Sequence, residues 1–194
     1  MTSSVCAPYL DPGWEQLLAK APSPRRALFL DRDGVINVDH GYVHTPELTE
    51  WVPGIFELVT RATQLGYVPI VVTNQAGIGR GYYDEAAFLA YTTWMHERFA
   101  KEGVRLLATY WCPHHPTAAH AGYRIACGCR KPAPGMLLAA ARDFALHLPD
   151  CALVGDSASD LEAGRLAGIG KLHLVQGGTH RGWKLGSTID EQVG

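Results

Sequence analysis

Two aspartates one residue apart, Asp31 and Asp33, end the apolar run Ala27-Leu-Phe-Leu and are followed at once by Gly34. Carboxylates this close repel each other unless a proton or a cation intervenes. A hard divalent ion with oxygen ligands answers that repulsion, and Mg²⁺ also binds phosphate oxygens. One carboxylate can then attack phosphorus while the other hands a proton to the leaving oxygen. The string Asp-x-Asp-Gly also serves in ordinary surface turns, so the pair gains meaning from what accompanies it.

Three further clusters do so. Thr73-Asn74-Gln75-Ala76-Gly77 follows a second apolar run and offers a hydroxyl and backbone donors suited to a phosphoryl group. Arg130-Lys131-Pro132 follows a third, and its lysine can offset charge on phosphoryl oxygens. Val154-Gly155-Asp156 ends a fourth run and brings another carboxylate, with Asp160 four residues on.

The elements that must position these residues are short. Strands are expected at 27–31, 67–73, 106–111, 151–155 and 171–175, with helices at 53–65, 84–102, 134–146 and 157–167. Asp84 suits a helix N-cap, Pro134 a helix start, and Gly66 and Gly168 left-handed helix ends. Alternating strand and helix predicts a Rossmann-like three-layer α/β/α domain with a mainly parallel sheet. Ligands then sit beyond the carboxyl ends of the strands, where Asp31, Thr73, Cys112 and Asp156 all fall. Residues 1–25, with four prolines and the run Pro22-Ser-Pro-Arg-Arg, read as an extension and linker, with a short helix near Trp14 to Lys20.

Cys112-Pro-His114 and Cys127-Gly-Cys129 flank a polar stretch. Three thiolates and an imidazole make a closed tetrahedral set for Zn²⁺, with His115 and His120 as alternative nitrogens. A site with four protein ligands leaves no place for substrate, so a structural role follows: pinning the loop that leads into Arg130 and Lys131. Cys151 begins an apolar strand and reads as a small core residue.

Together these motifs resemble the haloacid dehalogenase-like phosphatase superfamily: Asp31-x-Asp33-Gly, then Thr73, then Lys131, then Gly155-Asp156-x-x-x-Asp160. The resemblance implies Asp31 as nucleophile and Asp33 as general acid/base, with Thr73 and Lys131 positioning the phosphoryl group. It implies Mg²⁺ on the Asp31 carboxylate, the Asp33 backbone carbonyl and Asp156, with Asp160 supporting that site from behind.

Within the superfamily, residues 28–178 resemble the branch acting on D-glycero-D-manno-heptose 1,7-bisphosphate in bacterial activated-heptose biosynthesis. The stretches LDRDGVINVDHGYVH, VVTNQAGIGRGYYDE, YWCPHHP, CGCRKPAPGML and VGDSASDLEAG carry this. The resemblance implies loss of the 7-phosphate and a sugar-phosphate pocket along Asp39, His40, Gly41 and Tyr42. Asn74, Gln75 and Ala76 join Thr73 around the transferring group, and Arg130 meets the distal phosphate. Cys112, His114, Cys127 and Cys129 match the branch's zinc ligands. Val35, Ala76 and Ser157 depart from its commoner threonine, serine and lysine. Alternatives are a histidinol-phosphate phosphatase, which shares the carboxylate pair and a zinc loop, a broader sugar-phosphate phosphatase, and a zinc-binding module without catalysis.

The 194 residues suffice for one domain, set at 26–178 with the zinc loop at 112–129, no large cap domain and a tail at 179–194. A net charge of −2 gives no steer toward nucleic acid or an anionic membrane, and no apolar run approaches a membrane span. The start MTSSVCAPYLDPGW lacks a basic region followed by an apolar one, so a cytoplasmic location is expected. The odd count of five cysteines then argues against a disulfide framework. A monomer acting on a small sugar phosphate is the expectation.

Overall fold

Ala27, Leu28, Phe29 and Leu30 are all but inaccessible to solvent, because the strand that carries them lies inside a six-stranded sheet. That strand, β2 (Arg26–Leu30), runs parallel to β3 (Tyr67–Asn74) on one side and to β5 (Ala152–Gly155) on the other. Parallel strands covered on both faces read as continuous apolar runs, the pattern seen here. β4 (Ala108–Cys112) and β6 (Lys171–Leu174) extend the parallel array, and β1 (Tyr9–Leu10) closes one edge antiparallel to β4. The order is β1-β4-β3-β2-β5-β6. The computed structural model describes residues 7–175, so the domain boundary at 178 and the tail beyond it lie outside the described residues.

Alternate side chains of each strand feed opposite faces. Phe29, Ile70, Val72 and Leu153 join a core built with α5 (Gly135–Phe144), α6 (Ala158–Ala167) and α1 (Trp14–Lys20). Leu28, Leu30, Val71 and Val154 join a second core built with α2 (Ile55–Gln64) and α4 (Glu85–Lys101). Each fully buried large side chain contributes about 1.5–3 kcal/mol. The result is the expected three-layer sandwich.

Local signals act as read. Asp84 Oδ1 accepts from the Ala87 N–H at 2.8 Å and caps α4, while Gly66 and Gly168 adopt positive φ at helix ends. The helix expected from Pro53 starts at Ile55, because Gly54 takes φ +86° just before it. The third expected strand starts two residues late, at Ala108, and continues to Cys112. A five-residue helix, α3 (Ala76–Arg80), was not anticipated.

Residues 7–25, expected as an extension and linker, instead carry β1 and α1. Trp14, Leu17 and Leu18 lie against the core, and buried Asp11 takes hydrogen bonds from Arg105 at 2.6 Å and the Gly13 N–H at 2.8 Å. The helix falls where it was expected, whereas a two-residue strand is too short for its periodicity to be read.

Residues 31–54, between β2 and α2, hold only a 3₁₀ turn at Pro46–Leu48 and no separate cap domain. No helix of the described residues is long and apolar enough to cross a membrane.

Candidate active site

The carboxyl ends of β2, β3 and β5 open into a cleft of about 450 Å³. Sheet order explains its place: connections from β2 run outward through β3 and β4 on one side and resume at β5 on the other, the switch point where α/β sheets leave a crevice. Asp31 emerges there from β2, its N–H donating to the Val154 carbonyl of β5 at 3.0 Å.

The buried ammonium of Lys131 has three protons and three acceptors. Nζ lies 2.8 Å from Asp31 Oδ1, 2.6 Å from Asp160 Oδ1 and 2.8 Å from the Val72 carbonyl. Burial works against its charge, but the two carboxylates outweigh that and hold it above its ordinary pKa. Asn74 fixes the backbone beneath it: its Nδ2 donates to the Lys131 carbonyl and its Oδ1 accepts from the Lys131 N–H.

Asp33 faces the cleft but is tethered from behind. Arg32, 1% exposed, donates from Nε at 3.2 Å and from Nη2 at 2.8 Å, and Asn37 Nδ2 donates at 3.0 Å. Gln75 Nε2 is shared between Asp33 Oδ2 at 3.3 Å and Thr73 Oγ1 at 2.8 Å, while Tyr83 donates to Gln75 Oε1 at 2.6 Å. Gln75 therefore couples the second carboxylate to Thr73 through one buried amide.

Asp31, Asp156 and Asp160 each offer an oxygen within 4.8 Å of the others. Burial, opposed by Lys131 and reinforced by Asp160, pushes the Asp31 carboxyl up to about 7; burial and then Asp160 push Asp156 up to about 6. Burial also works against ionisation of Asp160, but Lys131 and Ser157 outweigh it and hold its carboxyl low. Asp160 Oδ2 accepts from the Ser157 hydroxyl at 2.6 Å and the Ser157 N–H at 3.0 Å. With both its oxygens engaged, Asp160 acts behind Asp31 and Asp156, which keep the freer oxygens. An all-oxygen set of crowded carboxylates fits a hard divalent ion. Gly34 permits the crowding: at φ +84°, a Cβ there would lie 2.0 Å from Asp156 Oδ2.

Beside the cleft, Cys112, His114, Cys127 and Cys129 present their ligand atoms to one point. Sulfur–sulfur distances are 3.0–3.4 Å and His114 Nδ1 is 3.5 Å from two sulfurs. A tetrahedron with ~2.3 Å zinc–sulfur bonds has edges of roughly 3.8 Å, so a small outward movement seats the ion, and the thiolate–imidazole set suits zinc. The hydrogen bond shared between Cys112 and Cys129 chiefly pushes the Cys129 thiol down to about 5, while Cys112 moves up. Neither His115 nor His120 belongs to this cluster.

The loop that carries these ligands lies on α3. The His120 N–H donates to the Gly79 carbonyl at 3.1 Å, and a Cβ at Gly79 would come 2.7 Å from the Pro113 carbonyl.

Of the residues read along the pocket, Asp39, Gly41, Tyr42, Asn74, Gln75 and Ala76 line the cleft. His40 and Arg130 do not. His40 pairs with Glu50 at 2.8 Å on the surface, and half-buried Arg130 donates to the His114 carbonyl at 3.2 Å. Ser157, where the branch commonly has lysine, caps α6 instead and lines the cleft with Ser159. Val35 is fully buried in the second core. Arg32, Tyr83 and Arg80 escaped the sequence reading, because a lone arginine or tyrosine carries no spacing signal.

A family model described as HAD-hydrolase-like matches residues 128–192. A Burkholderia mallei protein named D-glycero-alpha-D-manno-heptose-1,7-bisphosphate 7-phosphatase is 53% identical over 150 residues, 77% of this chain and 79% of that one. An Escherichia coli K12 protein named for the beta anomer is 46% identical over 154 residues, 78% and 80% of the two chains. The structure is similar to that of D,D-heptose 1,7-bisphosphate phosphatase from B. bronchiseptica, complexed with magnesium and phosphate. That match has a TM-score of 0.70 and 37% identity, and covers 80% of this chain and 83% of the other.

Proposed function

This chain belongs to the haloacid dehalogenase-like family of heptose-bisphosphate phosphatases, and from that premise we propose that it removes the 7-phosphate of D-glycero-D-manno-heptose 1,7-bisphosphate with Mg²⁺ bound. The observation that carries the reading is the meeting of Asp31 with Lys131 at 2.8 Å, in a cleft whose wall also holds Asp33 and Asp156.

The Asp31 carboxylate attacks phosphorus and the bond from phosphorus to the sugar O7 breaks. Asp33 supplies the proton that the leaving oxygen needs, so the products are an aspartyl-phosphate and heptose 1-phosphate. Asp33 then takes a proton from water, which attacks the acyl phosphate, releases inorganic phosphate and restores Asp31. Thr73 and Lys131 hold the phosphoryl oxygens throughout, a reaction that depends on positioning and charge more than on covalent machinery. The tether from Arg32 and Asn37 keeps Asp33 aimed at the leaving group. Asp31, the Asp33 carbonyl and Asp156 would hold Mg²⁺, with Asp160 behind them; the ion supplies positive charge against the phosphoryl oxygens.

Asp39, Gly41 and Tyr42, with Asn74, Gln75 and Ala76, border the sugar phosphate, His40 stands at its outer edge, and Arg130 faces the phosphate that is kept. Cys112, His114, Cys127 and Cys129 would hold Zn²⁺ as a structural ion under the Arg130–Lys131 segment. A cytoplasmic monomer serving the heptose supply of lipopolysaccharide completes the reading.

The test is phosphate release with and without Mg²⁺ from both anomers of the heptose bisphosphate, with histidinol phosphate alongside. Mg²⁺-dependent preference for either heptose anomer, abolished in Asp31→Asn, is expected. Preference for histidinol phosphate would sink the substrate assignment, and an active Asp31→Asn would sink the nucleophile.

A further inference from the structure

The arginines of the described residues differ in their partners: several meet a carboxylate, while Arg25, Arg26 and Arg124 reach backbone carbonyls away from the cleft. Arg32, Arg98, Arg105, Arg142 and Arg165 each meet a carboxylate, at 2.6–3.2 Å. Arg80 and Arg130 meet none among the described residues: Arg80 reaches the Tyr42 hydroxyl, and Arg130 reaches the His114 carbonyl. Both are half-buried, so each gives up some hydration without an anion in return.

They border the same part of the molecule. Arg80 ends α3, on which the metal-ligand loop lies through the Gly79–His120 hydrogen bond; Arg130 grips that same loop at His114. Arg80 also sits with its guanidinium carbon 5.6 Å from the centre of the Tyr42 ring, and Tyr42 lines the cleft. Tyr42 in turn lies edge-on to Tyr82, with ring centres 4.5 Å apart. The tyrosine contact leaves most of the five guanidinium donors for another partner.

We propose that Arg80 is a specificity-determining residue, which with Arg130 receives the phosphate that the enzyme does not remove. This rests on the phosphatase reading above and adds to it a residue and a geometry. Two guanidiniums without a carboxylate partner, one against cleft-lining Tyr42 and both close enough to act on His115 of the loop, form a site for a dianion, which a planar fork binds through paired hydrogen bonds. Tyr42 sets the orientation of Arg80: its hydroxyl accepts from the guanidinium, and its ring lies beside the end of α3. A sugar lacking the second phosphate leaves both cations without a counterion, which penalises it relative to the bisphosphate.

The experiment measures kcat/KM for the heptose 1,7-bisphosphate and for the heptose 7-phosphate, in the wild type, Arg80→Met and Arg80→Lys. It adds calorimetric binding of the product, heptose 1-phosphate, to each protein. Loss of a charge-assisted contact predicts that the bisphosphate-to-monophosphate ratio falls about 10- to 100-fold in Arg80→Met. The fall is carried mainly by KM, with partial recovery in Arg80→Lys and a parallel weakening of product binding. An unchanged ratio, or equal losses on both substrates with unaltered product affinity, overturns the role of Arg80 and makes it a prop for Tyr42. A wild type that hydrolyses neither heptose substrate overturns the phosphatase reading instead, which the product-binding arm separates from a failure at Arg80.

Discussion

Asn74 and Lys131 are joined by a reciprocal pair of hydrogen bonds: the Asn74 amide donates to the Lys131 carbonyl at 3.1 Å and accepts from the Lys131 N–H at 3.0 Å. Fifty-seven residues apart in the chain, they lock the segment after the metal-ligand loop to the end of β3. The ammonium that contacts Asp31 is thereby placed by a side chain that need not touch substrate.

Asn74→Ala removes both bonds and frees the Lys131 backbone. Turnover is expected to fall about 10- to 100-fold, since small misplacements of a charge-stabilising group are costly. The melting temperature should drop by several degrees, in line with about 1–3 kcal/mol for an unsatisfied buried group. Steady-state kinetics and thermal melts check this; activity within twofold of wild type would remove Asn74 from the positioning scheme.

The raised pKa values of Asp31 and Asp156 set a direction for the pH dependence of stability. Unfolded, both carboxyls ionise near 3.8; folded without a cation, they titrate near 7 and 6. A carboxyl whose folded pKa is raised contributes stability that is full below the unfolded value and is lost as pH rises through the folded one. Metal-free protein should therefore lose stability between about pH 4 and pH 7 through these two groups. Mg²⁺ favours the ionised carboxylates, so its stabilising shift in melting temperature should be larger at pH 8 than at pH 5. An equal shift at both values would refute the assignment of these carboxylates to the ion.

Gly34→Ala tests the crowding directly. A methyl group 2.0 Å from Asp156 Oδ2, at φ +84°, cannot be accommodated without moving the carboxylate. The Mg²⁺ concentration for half-maximal activity should rise about tenfold or more, while affinity for the zinc site stays unchanged. A titration of activity against Mg²⁺, with zinc content by atomic emission, reads both quantities.

Cysteine substitutions should separate by place rather than by type. Cys127→Ser removes one of four converging ligands, so bound zinc falls well below one per chain and the loop on α3 loosens. Cys151→Ser alters a buried thiol that accepts from the Ala27 N–H at 3.2 Å, away from that cluster. It should lower stability modestly and leave zinc at one per chain. Equal zinc content in both variants would exclude Cys127 as a ligand.

Asp31, Thr73 and Asp156 were legible in the sequence because each lies at the end of an apolar run, and a parallel sheet sends all such ends to one side; Lys131, set after a polar loop, was legible only by its place before a helix and by resemblance. The Cys112, His114, Cys127 and Cys129 cluster was legible as a candidate metal set from its residue types and its two close pairs. His40 and Arg130 show the limit: both adjoin site residues in sequence, yet neither lines the cleft, since direction from a loop depends on partners such as Glu50 and the His114 carbonyl. The helix at Trp14 to Lys20 was anticipated, but its docking on the core was not.

Residue type and periodicity alone determined the layer architecture, the order of the strand ends and the kind of chemistry gathered there. These follow from local patterns: apolar runs seek the core, and carboxylates stay beside cations. Tertiary structure alone decided which groups satisfy one another, such as Lys131 among Asp31, Asp160 and Val72, Arg32 behind Asp33, and Arg80 under Tyr42. Those pairings depend on distances between segments far apart in the chain, and they exist only once the sheet has brought its strand ends together.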